Sequence, residues 1–163
     1  MIPANLGKVV IVRYLENGDH ATYIAMEKDP EVKRYVGGSS QRTDEDFLSS
    51  LREYRPCTSL LAVADPVTSS FIGRCGLLKP KAPREAELYI LLAQAHQRKG
   101  IASLVFPFLV RLATANNKVA VAYVDPDNQA SLKLMERLGA VRTGTNTGDG
   151  YQAGHICYVF NSV

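Results

Sequence analysis

The sequence predicts a mixed α/β fold of the α+β kind. We expect a mostly antiparallel sheet of about seven strands with helices on both faces, and a β-α-β unit at 86–124. Three observations predict it. The chain has 163 residues, 46% of them hydrophobic and 21% charged, which suits one domain, 1–163, with one core. Two β-rich segments, 58–65 and 71–79, flank the turn-forming "PVTSS" and read as an antiparallel hairpin. The apolar runs "AELYILLA" (86–93) and "KVAVAYV" (118–124) bracket a long helical segment. That is the pattern of two strands joined by a crossover.

The elements follow in order. "KVVIVRY" (8–14) is β-branched and predicts a strand. "ENGDHATYIAMEKD" predicts a helix, and "PEVKRYV" a short second helical piece opened by Pro30. "GGSSQ" is a loop. Thr43, with Asp46 three residues on, predicts a helix start before "FLSSLREY". After the hairpin, "PKAPRE" is a Pro-rich turn, and 86–93 is apolar enough to be a strand buried on both faces. "IASLVFPFLVRLATAN" (101–116) is a central helix that Pro107 should kink or rob of one hydrogen bond. "DPDNQASLKLMERLG" is a helix with Asp125 as cap, Pro126 at its first position and Gly139 as its stop. "AVRTGT" and "GHICYVF" are the last two strands.

Composition excludes several function classes. A net charge of +3 without a Lys/Arg block gives no nucleic-acid stripe. No apolar run is long enough to span a membrane, and the opening "MIPANLGKVV" has no signal-peptide pattern. Cys57, Cys75 and Cys157 are odd in number and lack a CxxC, so free thiols and a cytoplasmic setting are expected. His20, His96 and His155 are equally scattered, so no metal site is expected.

Three stretches carry chemistry. In "HQRKGIAS" (96–103) a strand gives way to a helix through Gly100 and Ala102. The first turn of a helix offers unpaired N–H groups and a favourable dipole to an anion. An ordinary strand-to-helix connection with exposed basic residues reads equally well. GxxxxGK[ST] and GxGxxG are both absent. In the second stretch, Ser131, Leu134, Met135 and Leu138 form one helical stripe, with Asn128 three residues before it. The polar pair either points into a cleft or serves the helix terminus, as Ser and Asn commonly do. In the third, Glu87, Tyr89 and Leu91 share a face of a buried strand. A carboxylate there is either a desolvated base or simply solvated at the strand's end.

Together these stretches resemble the GNAT N-acetyltransferase superfamily, and within it the ribosomal-protein N-terminal acetyltransferase branch. The superfamily's signature Q/R-x-x-G-x-G/A stands here as Gln97-Arg98-Lys99-Gly100-Ile101-Ala102. "ELYILL…RKGIA" is similar to the branch's "E-I-G-Y-W-L…G-K-G-Y-A", and Asn128, Ser131 and "ERLGA" to its "N-x-x-S…E-K-L-G-F". The resemblance covers nearly the whole chain. It implies that backbone amides from Gln97 to Ala102, Gly100 and Ile101 included, bind the pyrophosphate of acetyl-CoA, with Arg98 and Lys99 adding charge at the rim. It implies that Ile90, Leu91 and Leu92 pair with the pantetheine arm and that Asn128 lies beside the cofactor. Glu87 falls on the branch's acidic position and is the candidate base. Ser131 is the candidate acid for the departing thiolate, because the position of the general-acid Tyr of many relatives is Met135 here. The branch's aromatics after Gly and after "LG" are Ile101 and Ala140.

The reaction implied is direct acetyl transfer to a primary amine in a ternary complex, with a backbone N–H near Leu91 or Leu92 meeting the oxyanion. No Cys stands on a matched catalytic position. The acceptor stays open among a protein N-terminal α-amine, a polyamine, an amino sugar and an amino acid, as does a non-catalytic acyl-CoA sensor. The assembly expected is a monomer or homodimer.

Overall fold

The structure, a computed structural model, describes residues 2–78 and 82–161. One sheet of eight strands organises it, in the order β1-β2-β3-β4-β5-β6-β8-β7. The strands are β1 (Ala4–Leu6), β2 (Val10–Tyr14), β3 (Leu61–Ala64), β4 (Phe71–Leu78), β5 (Glu85–Leu92), β6 (Val119–Val124), β7 (Val141–Thr145) and β8 (Ile156–Val159). The helices are α1 (His20–Lys28), α2 (Asp44–Arg52), α3 (Ile101–Ala115) and α4 (Gln129–Arg137). Every neighbouring pair is antiparallel except β5 and β6, the two ends of the expected β-α-β unit.

Two apolar clusters cover the two faces. Strand alternation sends Leu61, Val63, Cys75, Leu88 and Leu92 to one face, against Val105, Phe106 and Leu109 of α3 and Leu134 and Met135 of α4. Ala62, Phe71 and Leu91 go to the other face, against Ile24 of α1 and Phe47 and Leu51 of α2. The fifteen residues of α3 pass through Pro107 without a break.

Local chemistry accounts for most boundaries. Thr43 and Asp46 form the reciprocal capping box at the start of α2. Gly139 ends α4 at φ +69°, with the N–H of Gly139 bonded to Glu136 and that of Ala140 to Met135. That is a Schellman closure, and its left-handed residue favours glycine.

The expected sheet is present, with one strand beyond the seven or so expected, because the short β1 pairs with β2 ahead of the first strand expected. Three expectations are corrected. Residues 30–36 form turns and not a helical piece. Asp29 accepts from the N–H groups of Glu31 and Val32, and such side-chain bonding competes with helix. The cap of α4 is Asn128 and not Asp125, so Pro126 lies before the helix. Asp125 instead closes a local turn by accepting from the Asp127 N–H at 2.9 Å. Lys79 of the expected strand, and Pro80 and Lys81 of the expected turn, lie outside the described residues.

Candidate active site

The sheet opens in the middle. β5 and β6 pair only at Glu85–Val119, Ala86–Ala120 and Glu87–Val121. Beyond Glu87, β5 continues on β4 alone, and β6 turns toward β8. The strands therefore diverge, and a cleft of about 360 Å³ fills the gap. It reaches both faces of the sheet. Ala102, Phe106, Asn128, Ser131 and Met135 line it on the α3/α4 side, and Lys33, Arg74, Glu87, Tyr89 and Tyr151 on the α1/α2 side.

The divergence leaves backbone groups of β5 without a strand partner. The Ala93 N–H, just past β5, bonds to the Ile72 carbonyl in β4, so odd-numbered residues of this strand face β4 with their polar groups. Those of Ile90 and the N–H of Leu92 therefore face the opening. The Leu91 N–H points the other way, which corrects the pairing expected of it. The Leu92 carbonyl accepts from Gln97 Nε2 at 3.0 Å, tying the following loop to the strand's end.

That loop is the expected pyrophosphate arm. Arg98 has φ +58° and Gly100 φ +77°. Gly100 is the N-cap of α3 and offers no side-chain cap. The N–H groups of Arg98, Lys99, Gly100, Ile101 and Ala102 donate to no described residue. A run of unpaired N–H groups around left-handed residues, at a helix N-terminus, is an anion cradle. A Cβ on Gly100 would meet no atom of the chain within 4 Å, and φ +77° is an angle that L side chains rarely adopt, so the backbone angle by itself favours glycine here. Residues 97–100 are exposed, and Ile101 is buried beneath the helix.

The α1/α2 side is built from side chains. Glu27, buried at 6% exposure, receives Lys33 Nζ at 2.9 Å and Arg74 Nε at 2.6 Å. Burial opposes its charge, but Arg74 and then Lys33 outweigh it and hold its pKa below the ordinary carboxylate value. Burial also works against the Arg74 charge; Tyr89, Glu27 and Tyr23 more than offset it, and the pKa rises. The guanidinium lies 5.0 Å from the Tyr89 ring centroid and 5.9 Å from that of Tyr23, within cation–π range. Burial pushes up the phenols of Tyr23, Tyr89 and Tyr151, Glu87 adding to the last, so all three stay protonated near neutrality.

Glu87 is 8% exposed and lines the cleft, where it accepts from Gln152 Nε2. His155 is 5% exposed, its Nε2 lies 3.8 Å from Asp125 Oδ2, and its Nδ1 is buried without a partner. Asn128 Oδ1 accepts from the Ser131 N–H at 3.1 Å, so Asn128 both caps α4 and lines the cleft. Ser131 lines the cleft one turn before Met135, whose thioether has no proton to give. No cysteine lines it. The Cys75 thiol is pushed up to about 12 by burial, which leaves it unreactive.

Of the residues given a candidate catalytic or cofactor role in the sequence, the cleft gathers Glu87, Ile90, Leu91, Ala102, Asn128 and Ser131, and Leu92 is not in its lining. Residues 97–101 lie just beyond it on the loop. Sequence reasoning missed Glu27, Lys33, Arg74, Tyr151 and Gln152. One signal was available for Arg74: a charged residue inside the otherwise apolar strand "FIGRCGL".

Comparison with known proteins agrees with this geometry. Residues 10–141 match the acetyltransferase (GNAT) domain model, and the chain belongs to that family. The family's members use acetyl-CoA. The uncharacterized protein YkkB of Bacillus subtilis (strain 168) is 27% identical, over 78% of this chain and 79% of its own length. An acetyltransferase of Agrobacterium tumefaciens superposes with a TM-score of 0.77 at 22% identity, covering 99% of this chain and 95% of that one. Spermidine N-acetyltransferase of Vibrio cholerae, solved with CoA and spermine, gives a TM-score of 0.76 at 19% identity over 94% of each chain. These two share the fold. The finer resemblance to the ribosomal-protein branch finds no support among them.

Proposed function

We propose that this protein is an acetyl-CoA-dependent N-acetyltransferase that acetylates a primary amine by direct transfer in a ternary complex. The observation that carries this reading is the run of five unpaired N–H groups, Arg98 to Ala102, at one end of the cleft where β5 and β6 part. The cradle suits a pyrophosphate, and the unpaired Ile90 and Leu92 groups suit an extended arm bearing amides. The residues present therefore fit acetyl-CoA. When bound, it supplies a thioester carbonyl that an amine can attack.

The chain's own groups divide the remaining work. Gln97 ties the loop to the end of β5. Arg98 and Lys99 place two cations at the rim. Ile90 and Leu92 align the arm through their backbone, and the Leu92 N–H faces the side on which negative charge develops. Asn128 fixes the start of α4 and so presents Ser131 to the cleft. A Glu87 carboxylate oxygen accepts the proton that the acceptor amine must lose, directly or through a water. The Ser131 hydroxyl delivers a proton to the departing sulfur. A protein N-terminal α-amine, of pKa roughly 7.7–8.0, would ask less of Glu87 than a lysine amine near 10.4.

The test has two readouts. Acetyl-CoA should raise the melting temperature far more than ATP does, because only the former engages both cradle and strand. Thiol release from acetyl-CoA should appear with an amine acceptor. Glu87→Gln and Ser131→Ala should each lower turnover by about 10²–10⁴-fold, the range typical of proton-transfer catalysis, with acetyl-CoA affinity retained. Equal thermal shifts with ATP would refute the cofactor reading. Tight binding without turnover on any amine would make the protein an acyl-CoA sensor.

A further inference from the structure

The acceptor half of the cleft carries a charge pattern of its own. Two cations, Lys33 and Arg74, line it. The carboxylate they share, Glu27, is not part of the lining; it holds both cations from behind. One carboxylate for two cations leaves the Lys33 and Arg74 end of this wall one positive charge in excess, with Glu87 at the other end. Arg74 Nε is committed to Glu27, and its guanidinium lies beside the rings of Tyr23 and Tyr89. A guanidinium fixed through one edge, with further N–H donors left, is a pre-organised fork for a carboxylate.

The opposite charge lies at the other end of the same strand face. Arg74 stands directly across from Leu91, four residues along β5 from Glu87. At 3.3 Å per residue that is roughly 13 Å of backbone, shortened by the reach of the Arg74 side chain. Tyr151 lines the cleft with both Glu87 and Arg74.

We propose that the acceptor is a primary amine carrying its own carboxylate, of amino-acid or short-peptide size, with the carboxylate held by Arg74 and Lys33 and the amine directed to Glu87. The proposal rests on the acetyl-transfer reading for its chemistry but not for its binding geometry. A polyamine would set its remaining positive charges against Arg74 and Lys33 and offer those cations no carboxylate.

The probes are the twenty amino acids and a set of dipeptides, each beside its C-terminal carboxamide, together with spermidine and a tripeptide amide opening with Asp. Each is titrated calorimetrically into the wild-type protein saturated with CoA, and each is assayed in parallel for thiol release from acetyl-CoA. At least one free acid should bind about 10- to 100-fold tighter than its own amide, the scale of a charge-assisted contact. Lys33→Gln should narrow that ratio and leave acetyl-CoA affinity unchanged. The Asp tripeptide amide distinguishes a side-chain carboxylate from a terminal one; preference for it over every free acid would overturn the stated size. An amide binding as well as its acid, tighter binding of spermidine, or no binding of any acid would each overturn the proposal. Failure of thiol release with every probe would defeat the acetyl-transfer reading alone, because the calorimetric comparison still decides the carboxylate.

Discussion

The two halves of the cleft are built from different material. The half toward α3 and α4 is mostly backbone: a loop with two left-handed residues, a helix start without a cap, and a strand edge left open. Its side chains add little charge to the interior. The half toward α1 and α2 is a network of charged and phenolic side chains from four separate segments, with Glu27, Lys33, Arg74, Tyr89 and Glu87 at its centre. Backbone recognition suits a ligand of fixed chemistry, since N–H groups are the same whatever residue carries them. Side-chain recognition suits a ligand that can differ from one relative to the next. On the acetyl-transfer reading proposed above, the donor falls to the first half and acceptor choice to the second.

The sharpest way to break this assignment is to place charge in the backbone half. Ala102 is the second residue of α3 and lines the cleft. Ala102→Glu should leave the fold intact, because a carboxylate in the first turn favours a helix. It should weaken acetyl-CoA by roughly 100-fold or more, since charge-assisted hydrogen bonds are worth about 1.5–3 kcal/mol each and a carboxylate there competes for several. Calorimetry with acetyl-CoA reads the change; a loss under threefold would move the donor elsewhere.

The next test strikes the other half. Glu27→Gln leaves two cations facing each other without their shared carboxylate, and breaking a buried ion pair on one side costs about 3–5 kcal/mol. Acetyl-CoA affinity should hold. The pH dependence follows from the sign of the shift. Glu27 has a folded pKa below its ordinary value of 4.5. Its stabilisation is therefore present above 4.5 and is lost as pH falls through the folded value. Denaturant unfolding should show the wild type and the variant far apart at pH 7 and converging below about pH 4.5. A gap constant down to pH 3 would mean that packing, not charge, holds this wall.

The smallest effect is expected at Gly100. Its φ of +77° makes any side chain strained although no atom of the chain crowds the position, so a small side chain keeps the test to backbone strain. Gly100→Ala should cost about 1–2 kcal/mol in loop geometry. Gly100→Asn should cost less, because Asn visits that region more readily. Both should weaken acetyl-CoA modestly and in that order. Equal affinity for all three proteins would show that the loop's conformation does not matter to binding.

By itself the sequence determined what is local. Apolar runs fixed which segments are strands and helices. Thr43 with Asp46, and Gly139, fixed two helix ends through bonds spanning a few residues. The cradle was legible for the same reason: six consecutive residues carry it, and its geometry depends on backbone angles that Gly100 permits. Even local reading failed where two caps competed, as at Asp125 and Asn128. Neither β1 nor the turns at 30–37 could be told from periodicity, since both are too short to show one. The acceptor wall was beyond it altogether. Glu27 and Arg74 are 47 residues apart, and Glu87 and Gln152 are 65 apart. Nothing in either local environment marks them as partners. Only the packing of α1 and of the turn before β8 against the ordered strands brings them together, because side chains that recognise a ligand are placed by packing between distant elements, whereas backbone that recognises one is shaped by its own neighbours.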